Sequence, residues 1–276
     1  MSVFDEPKID AHCHVLDPAR FPYAEGVAYR PAGAEIGALD DYLRMMDAYG
    51  IRHALLVGPN SGYGTDNRCL LDALARGAGR LKGMAVVHNT IDDESLLALR
   101  AGGVIGVALN ATVLGTAHCL QAAPLLKRLA AQDMLLSLQV EHDQMVDLRG
   151  MVEDSGVRVL IDHGGRPVPA AGMDQPGFQA LLALARTGRV AVKLSGYQKF
   201  SALQPPHDDT RPYIDALIEA YTLDACMWAS DWPFLRATQR IDVGTLLRQL
   251  ERSLPDAADR HRLWWRTPAR WLGFSA

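Results

Sequence analysis

Eight short apolar runs punctuate the chain, each rich in Val, Leu and Ile and bounded by Gly, Pro, Asn or Asp. They read KIDAHCHV (8–15), HALLVGP (53–59), KGMAVVH (82–88), GVIGVALN (103–110), MLLSLQV (134–140), VRVLIDHGG (157–165), RVAVKLSG (189–196) and CMWASDWP (226–233). Near-continuous runs of this kind mark strands buried on both faces, as in a parallel sheet. Between most of them apolar residues fall at helical spacing: LDDYLRMMDAYG, NRCLLDALARG, APLLKRLAAQD, DQMVDLRGMVEDSG, PGFQALLALART, TRPYIDALIEAYT, and VGTLLRQLERSL after the last run. Eight strands alternating with helices predict an α/β fold, a (β/α)₈ TIM barrel, as a single domain over 1–276. A doubly wound sheet would need fewer strands, and no Gly-rich phosphate loop follows the first run. The longest irregular stretches, 16–38, 165–176 and 197–210, all follow strands, where barrel loops cover the active site. The tryptophans in RLWWRTPARWLGF are expected to pack a terminal helix on the barrel wall.

Composition narrows the partner. The 276 residues are 49% hydrophobic and carry a net charge of -4. Charges of both signs are scattered, without a basic patch for nucleic acid or an acidic tail. No run of apolar residues is long enough to span a membrane. The opening MSVFDEPKID lacks a basic start followed by an apolar run, and Cys13, Cys69, Cys119 and Cys226 form no CxxC pair. These features point to reduced thiols and a cytoplasmic setting. The expected partner is a small molecule; an oligomer stays open.

A barrel places its chemistry at the C-terminal ends of its strands. Residues gathered there are His12 and His14, then Asn60 and Ser61, His88, Asn110, Gln139, His163, the Ser195–Tyr197–Lys199 stretch, and Asp231. On a regular strand, Asp10, His12 and His14 share one face. Two adjacent imidazoles are costly to bury without a partner, which favours function for the HxH pair. His163 and Asp231 join them by position, although Asp231 also suits a turn cap. His88, alone at a strand end, reads as structural, and His53, His118, His142, His207 and His261 read as helix or loop residues. Arg166 in HGGRP either braces its loop or supplies a cation.

In order along nearly the whole chain, DAHCHV, RFPYAEGVAYRP, GTDNRCLLDALAR, IDHGGRP, SDWPF and TPARWLGF resemble the signatures of the amidohydrolase superfamily, within it the amidohydrolase-related branch of 2-pyrone-4,6-dicarboxylate lactonase-like hydrolases. The resemblance implies a lactonase: Asp231 activates water, and His12, His14 and His163 surround the carbonyl. Tyr29 and Ser61 match substrate-contacting positions; Asn110, Gln139 and Lys199 are further substrate-binding candidates. Two departures matter. The region after the fourth strand, GVALNATVLG, has no Arg or Lys, and Lys199 stands where an arginine is expected. Lys offers a point charge, not a fork. The expected substrate is therefore a lactone with one carboxylate, or a sulfonated or sugar-derived lactone, in aromatic- or sugar-acid catabolism.

Superfamily metal sites also draw ligands from the fourth and fifth strands, where Asn110 and Gln139 are poor zinc ligands. Catalysis without a cofactor is the expectation. The alternative is one divalent metal such as Zn²⁺ on His12, His14 and Asp231, with His163 as a further ligand, in a mononuclear hydrolase or decarboxylase. A non-catalytic binding barrel is the remaining class.

Overall fold

The structure, a computed structural model, describes residues 2–275. Its strands are β1 (Lys8–Cys13), β2 (Ile51–Val57), β3 (Leu81–Ala85), β4 (Val104–Asn110), β5 (Leu135–Gln139), β6 (Arg158–Ile161), β7 (Val190–Leu194) and β8 (Cys226–Trp228). They pair in parallel, in chain order. The circle closes just beyond β8, where the Asp231 N–H donates to the His12 carbonyl and the His14 N–H to the Trp232 carbonyl, both at 2.8 Å. This is the (β/α)₈ barrel that the periodicity predicts, and its closing seam runs through the residues singled out for chemistry.

The seven helices expected from apolar spacing are present, among them Leu39–Ala48, Gln144–Ser155 and Val243–Ser253. An eighth, Asp93–Ala101, joins β3 to β4 and is not predicted by spacing. It buries Leu96 alone, so its apolar stripe is too thin to register. Its start is fixed by Asp92, whose carboxylate accepts the Ser95 N–H at 2.7 Å, an N-cap contact. No helix among the described residues is long and apolar enough to cross a membrane.

Inside the barrel, alternate strand residues build layers. Ile9, Leu55, Met84, Leu135, Leu160, Ala191 and Met227 belong to an apolar interior cluster that Trp271, Leu272 and Phe274 from the C-terminal segment join. The terminal helix Thr267–Leu272 thus packs against the barrel through Trp271, and Trp264 is buried with the Lys8 Nζ 5.0 Å from its ring. Strands β6 and β8 stop furthest short of the ends of their apolar runs. After β6 and β8 the chain turns through left-handed backbone at His163 (φ 53°) and Asp231 (φ 61°). Such conformations cost about 1–3 kcal/mol for residues other than glycine and cluster at functional sites.

Candidate active site

The first histidine strand is not regular. Asp10 lies opposite Ala54 and Cys13 opposite Leu56, so β1 takes three steps where β2 takes two. The extra residue is a bulge, and it resets which side chains face inward. His12 and His14 line the cavity while Asp10 does not. This corrects the expectation of an acid sharing their face. The Asp10 carboxylate instead accepts the Tyr42 hydroxyl at 2.9 Å, the Ser230 N–H at 2.8 Å, the Ser230 hydroxyl, and the His12 N–H at 3.2 Å. It stitches β1 to the segment after β8, and burial raises its pKa despite these donors.

Three imidazoles converge on one oxygen. The Nε2 atoms of His163, His14 and His12 lie 3.6, 3.8 and 3.9 Å from Asp231 Oδ1, and those of His12 and His14 are 3.3 Å apart. That Oδ1 is buried and has no hydrogen-bond partner among the described residues. Each ring is oriented through its other nitrogen. His14 Nδ1 donates to the Val57 carbonyl at 2.7 Å, His163 Nδ1 meets Ser195 Oγ at 3.0 Å, and His12 Nδ1 lies 3.4 Å from Asp162 Oδ1. Gly196 makes room for His163, since a Cβ there would sit 2.5 Å from Nδ1. Burial, the largest influence, and the neighbouring cations hold His163 well below the usual imidazole value, and burial holds His14 at about 4. Both rings are therefore neutral near pH 7.

Within this set His12, His163 and Asp231 each offer a ligand atom within 4.8 Å of the other two, a group that fits a single divalent cation. Donors roughly 2 Å from a tetrahedral zinc lie roughly 3.3 Å from one another, close to the separations seen here. Bonding of the second ring nitrogen to a carbonyl, a hydroxyl or a carboxylate is the usual support of a ligating histidine.

The other oxygen of Asp231 is occupied. Oδ2 accepts from Lys199 Nζ at 3.0 Å and from Gln198 Nε2 at 3.3 Å. Burial pushes the Asp231 pKa up, but Lys199 and the imidazoles outweigh it and leave it at about 2. Lys199 thus stands at the mouth as expected, yet its charge is engaged with Asp231.

Below the imidazoles lies a charged layer that the strand-end survey passed over. Lys193 on β7 is fully buried, with Nζ 2.8 Å from Asp162 Oδ1, 2.9 Å from Ser137 Oγ and 3.1 Å from His12 Nδ1. Ser137 donates to Asp162 at 2.8 Å. Burial disfavours the Asp162 anion, but Lys193 and His12 hold its pKa well below the usual carboxylate range. A lysine inside the run VAVKL was the available signal, because a charge there needs a partner. Lys193→Met keeps the chain length and strands the Asp162 charge. It is expected to cost about 3–5 kcal/mol of stability, read from the denaturant midpoint; a loss under about 1 kcal/mol would show that Asp162 does not depend on this partner.

The cavity above these groups is about 280 Å³. Ser61, Asn110, Gln139, Arg166, Gln198, Lys199 and Arg236 line it with the histidines. Asn110 spends its carbonyl oxygen on the turn after β4, accepting the Thr112 and Val113 N–H groups at 3.0 and 3.2 Å. Gln139 contacts Thr112 Oγ1 at 3.4 Å. Tyr29 is not among the lining residues; its hydroxyl donates to Glu35 and its ring lies under Arg236. His88 stands outside the cavity beside Thr65, at 3.3 Å. Arg236 sits in the loop after β8, which carried no signal in the apolar pattern.

The amidohydrolase family model matches residues 9–274. The chain belongs to the amidohydrolase family. As a member it is a hydrolase, and its substrate is a small molecule. A 4-sulfomuconolactone hydrolase from Rhizobium radiobacter is 33% identical over 272 residues, covering 96% of this chain and 89% of that one. A 2-pyrone-4,6-dicarboxylate hydrolase from Comamonas testosteroni is 27% identical, covering 95% and 88%. Among solved structures, an Acinetobacter baumannii protein described as a probable 2-pyrone-4,6-dicarboxylic acid hydrolase with citric acid bound superposes at a TM-score of 0.88. It is 26% identical, with 97% of this chain and 99% of that one covered.

Proposed function

We propose that this amidohydrolase opens a small lactone bearing an anionic group, a sulfonated or monocarboxylated one, in the catabolism of aromatic or sugar acids. The observation that carries the reading is the convergence of three imidazoles on the unpartnered Asp231 Oδ1, just beneath a polar cavity that those rings line. The relatives named for lactones, one of them sulfonated, support the substrate class.

The chemistry is addition of water to the lactone carbonyl followed by breakage of the ring acyl–oxygen bond. Asp231 accepts a proton from the attacking water at Oδ1 and returns it to the ring oxygen as that bond breaks. Lys199 and Gln198 fix the carboxylate through Oδ2, so that Oδ1 alone faces the reaction. A carboxylate with a pKa of about 2 is a weak base. Position therefore matters more here than basicity, because a fixed group avoids the entropic cost of encounter. His12, His14, His163 and Asp231 are the residues that would hold a divalent ion, whose chemistry there is polarisation of the carbonyl and activation of water. The metal-free expectation rested on Asn110 and Gln139; the donor set completed by His163 from the β6 end favours the single-cation alternative instead.

The test is hydrolysis of a panel of sulfonated, carboxylated, sugar and neutral lactones, read by proton release. Anionic lactones are expected to have the highest kcat/KM. No turnover of any lactone, together with CO₂ release from aromatic acids, would replace this reading with the decarboxylase one.

A further inference from the structure

Resting on the lactonase reading, we propose that the substrate's anionic group, a sulfonate or carboxylate, is held between Arg166 and Arg236, from the loops after β6 and β8, and not by Lys199. Three cations line the cavity. Lys199 is engaged with Asp231 Oδ2 at 3.0 Å and also donates to the Leu235 carbonyl at 3.3 Å. Arg166 pairs with Glu141 through one terminal nitrogen at 3.0 Å, while its Nε is buried with no partner among the described residues. Arg236 makes no ion pair among the described residues, although it lines the same cavity.

Arg236 is nonetheless held in place. Its guanidinium lies 4.6 Å from the centre of the Tyr29 ring, a cation–π contact. Its backbone N–H donates to Glu35 Oε1, and the other oxygen of Glu35 accepts the Tyr29 hydroxyl. Tyr29 and Glu35 thus form a platform under the arginine. This gives Tyr29 a part in substrate recognition through Arg236, without lining the cavity itself. The two arginines line the same cavity, near enough for one charge to bear on the other. Burial lowers the Arg166 pKa, Glu141 and Asp231 raise it, and the charge of Arg236 lowers it further. Two guanidinium groups on one cavity, one with an unpartnered Nε and the other with no ion pair among the described residues, are relieved by an anion between them, and the fork matches a carboxylate or sulfonate with two parallel bonds. Apart from these arginines, Lys199 and the histidines, the rest of the lining offers an anion no cation: Asp162 lies at the floor, and the β4 side brings Ala108, Leu109 and Asn110.

The experiment compares kcat/KM for a sulfonated and a carboxylated lactone with that for a neutral lactone of similar size. Arg236→Gln is expected to lower the anionic-to-neutral ratio about ten- to a hundredfold, the worth of a charge-assisted contact. Arg236→Lys restores part of it. Tyr29→Leu lowers the same ratio by removing the platform, and Tyr29→Phe, which keeps the ring, lowers it less. Lys199→Met moves both substrates together and leaves the ratio where it was. A loss with only one of the two anions shows which of them the pair reads. An unchanged ratio in Arg236→Gln, or a ratio that collapses in Lys199→Met instead, overturns the assignment while leaving the lactonase reading intact. Calorimetric titration with benzenesulfonate separates the two claims. If no lactone is turned over but Arg236→Gln weakens benzenesulfonate binding by the same factor, the subsite stands and the lactonase reading falls. Equal benzenesulfonate binding by both proteins counts against the subsite.

Discussion

Asp231→Asn is expected to leave a folded protein whose turnover of the best lactone falls by about two to four orders of magnitude, the usual worth of a general base. Folding should survive for a backbone reason. Residue 231 has a φ of 61°, and Asn adopts left-handed backbone as readily as Asp. The Asp231 N–H that donates to the His12 carbonyl at 2.8 Å is untouched, so the barrel seam stays closed. Lys199 loses its anionic partner but keeps the Leu235 carbonyl at 3.3 Å. What disappears is the one oxygen on which the three imidazoles converge. The pH dependence gives an independent check. With its pKa depressed to about 2, Asp231 is ionised at any ordinary assay pH and loses its proton-accepting form only as pH falls through that value. In the metal-free protein, an acid limb above that range belongs to the imidazoles, His14 titrating at about 4. The deficit of Asp231→Asn should therefore be constant between pH 6 and 8, measured as kcat on the purified variant. A near wild-type rate in the folded variant would remove Asp231 from the role.

The fold was legible because parallel strands advertise themselves. Each is a near-continuous apolar run, and seven of the eight longer helices carry a stripe wide enough to show at helical spacing. The site was legible where chemistry sits at strand ends. His12, His14, His163 and Asp231 come from β1 and the turns after β6 and β8, and the structure brings them to one point. Three things were hidden for distinct physical reasons. The bulge in β1 turns Asp10 away from the histidines, and no residue type marks it. The Lys193–Asp162–Ser137 layer is assembled from β5, the turn after β6 and β7, so no short spacing links its members. The partners of Lys199 and Arg166, and the approach of Arg236 to Tyr29, depend on where loops fold back. Sequence position alone cannot show whether a cation at the mouth is free or already paired.

Removal of a divalent metal is expected to abolish turnover. The argument is one of donors and their orientation. Neutral imidazoles ligate through a lone pair, and His14 is committed to the correct form because its Nδ1–H is donated to the Val57 carbonyl at 2.7 Å. His12 Nδ1 lies between the Lys193 ammonium at 3.1 Å, which can only donate, and Asp162 at 3.4 Å, so it takes the same form only when its Nδ1–H goes to Asp162. His12, His163 and Asp231 each offer a ligand atom within 4.8 Å of the others, a set that would leave a coordination position open for water or substrate. Purified protein should carry about one equivalent of a divalent metal, by elemental analysis. Dialysis against a strong chelator should lower turnover by at least about two orders of magnitude, with recovery on adding Zn²⁺ or Mn²⁺. Stability supplies a readout that does not depend on activity. An ion that binds the folded chain alone at a hundred times its Kd adds about 2.7 kcal/mol, so the chelated protein should unfold at lower temperature and recover with metal. His163→Asn is the matching variant, since Asn tolerates the backbone at φ 53° but removes the imidazole. It should retain less metal and lose most of the metal-dependent gain in stability. Full turnover with well under a tenth of an equivalent of metal would restore the cofactor-free mechanism, leaving His12, His14 and His163 to act on the carbonyl as hydrogen-bonding groups.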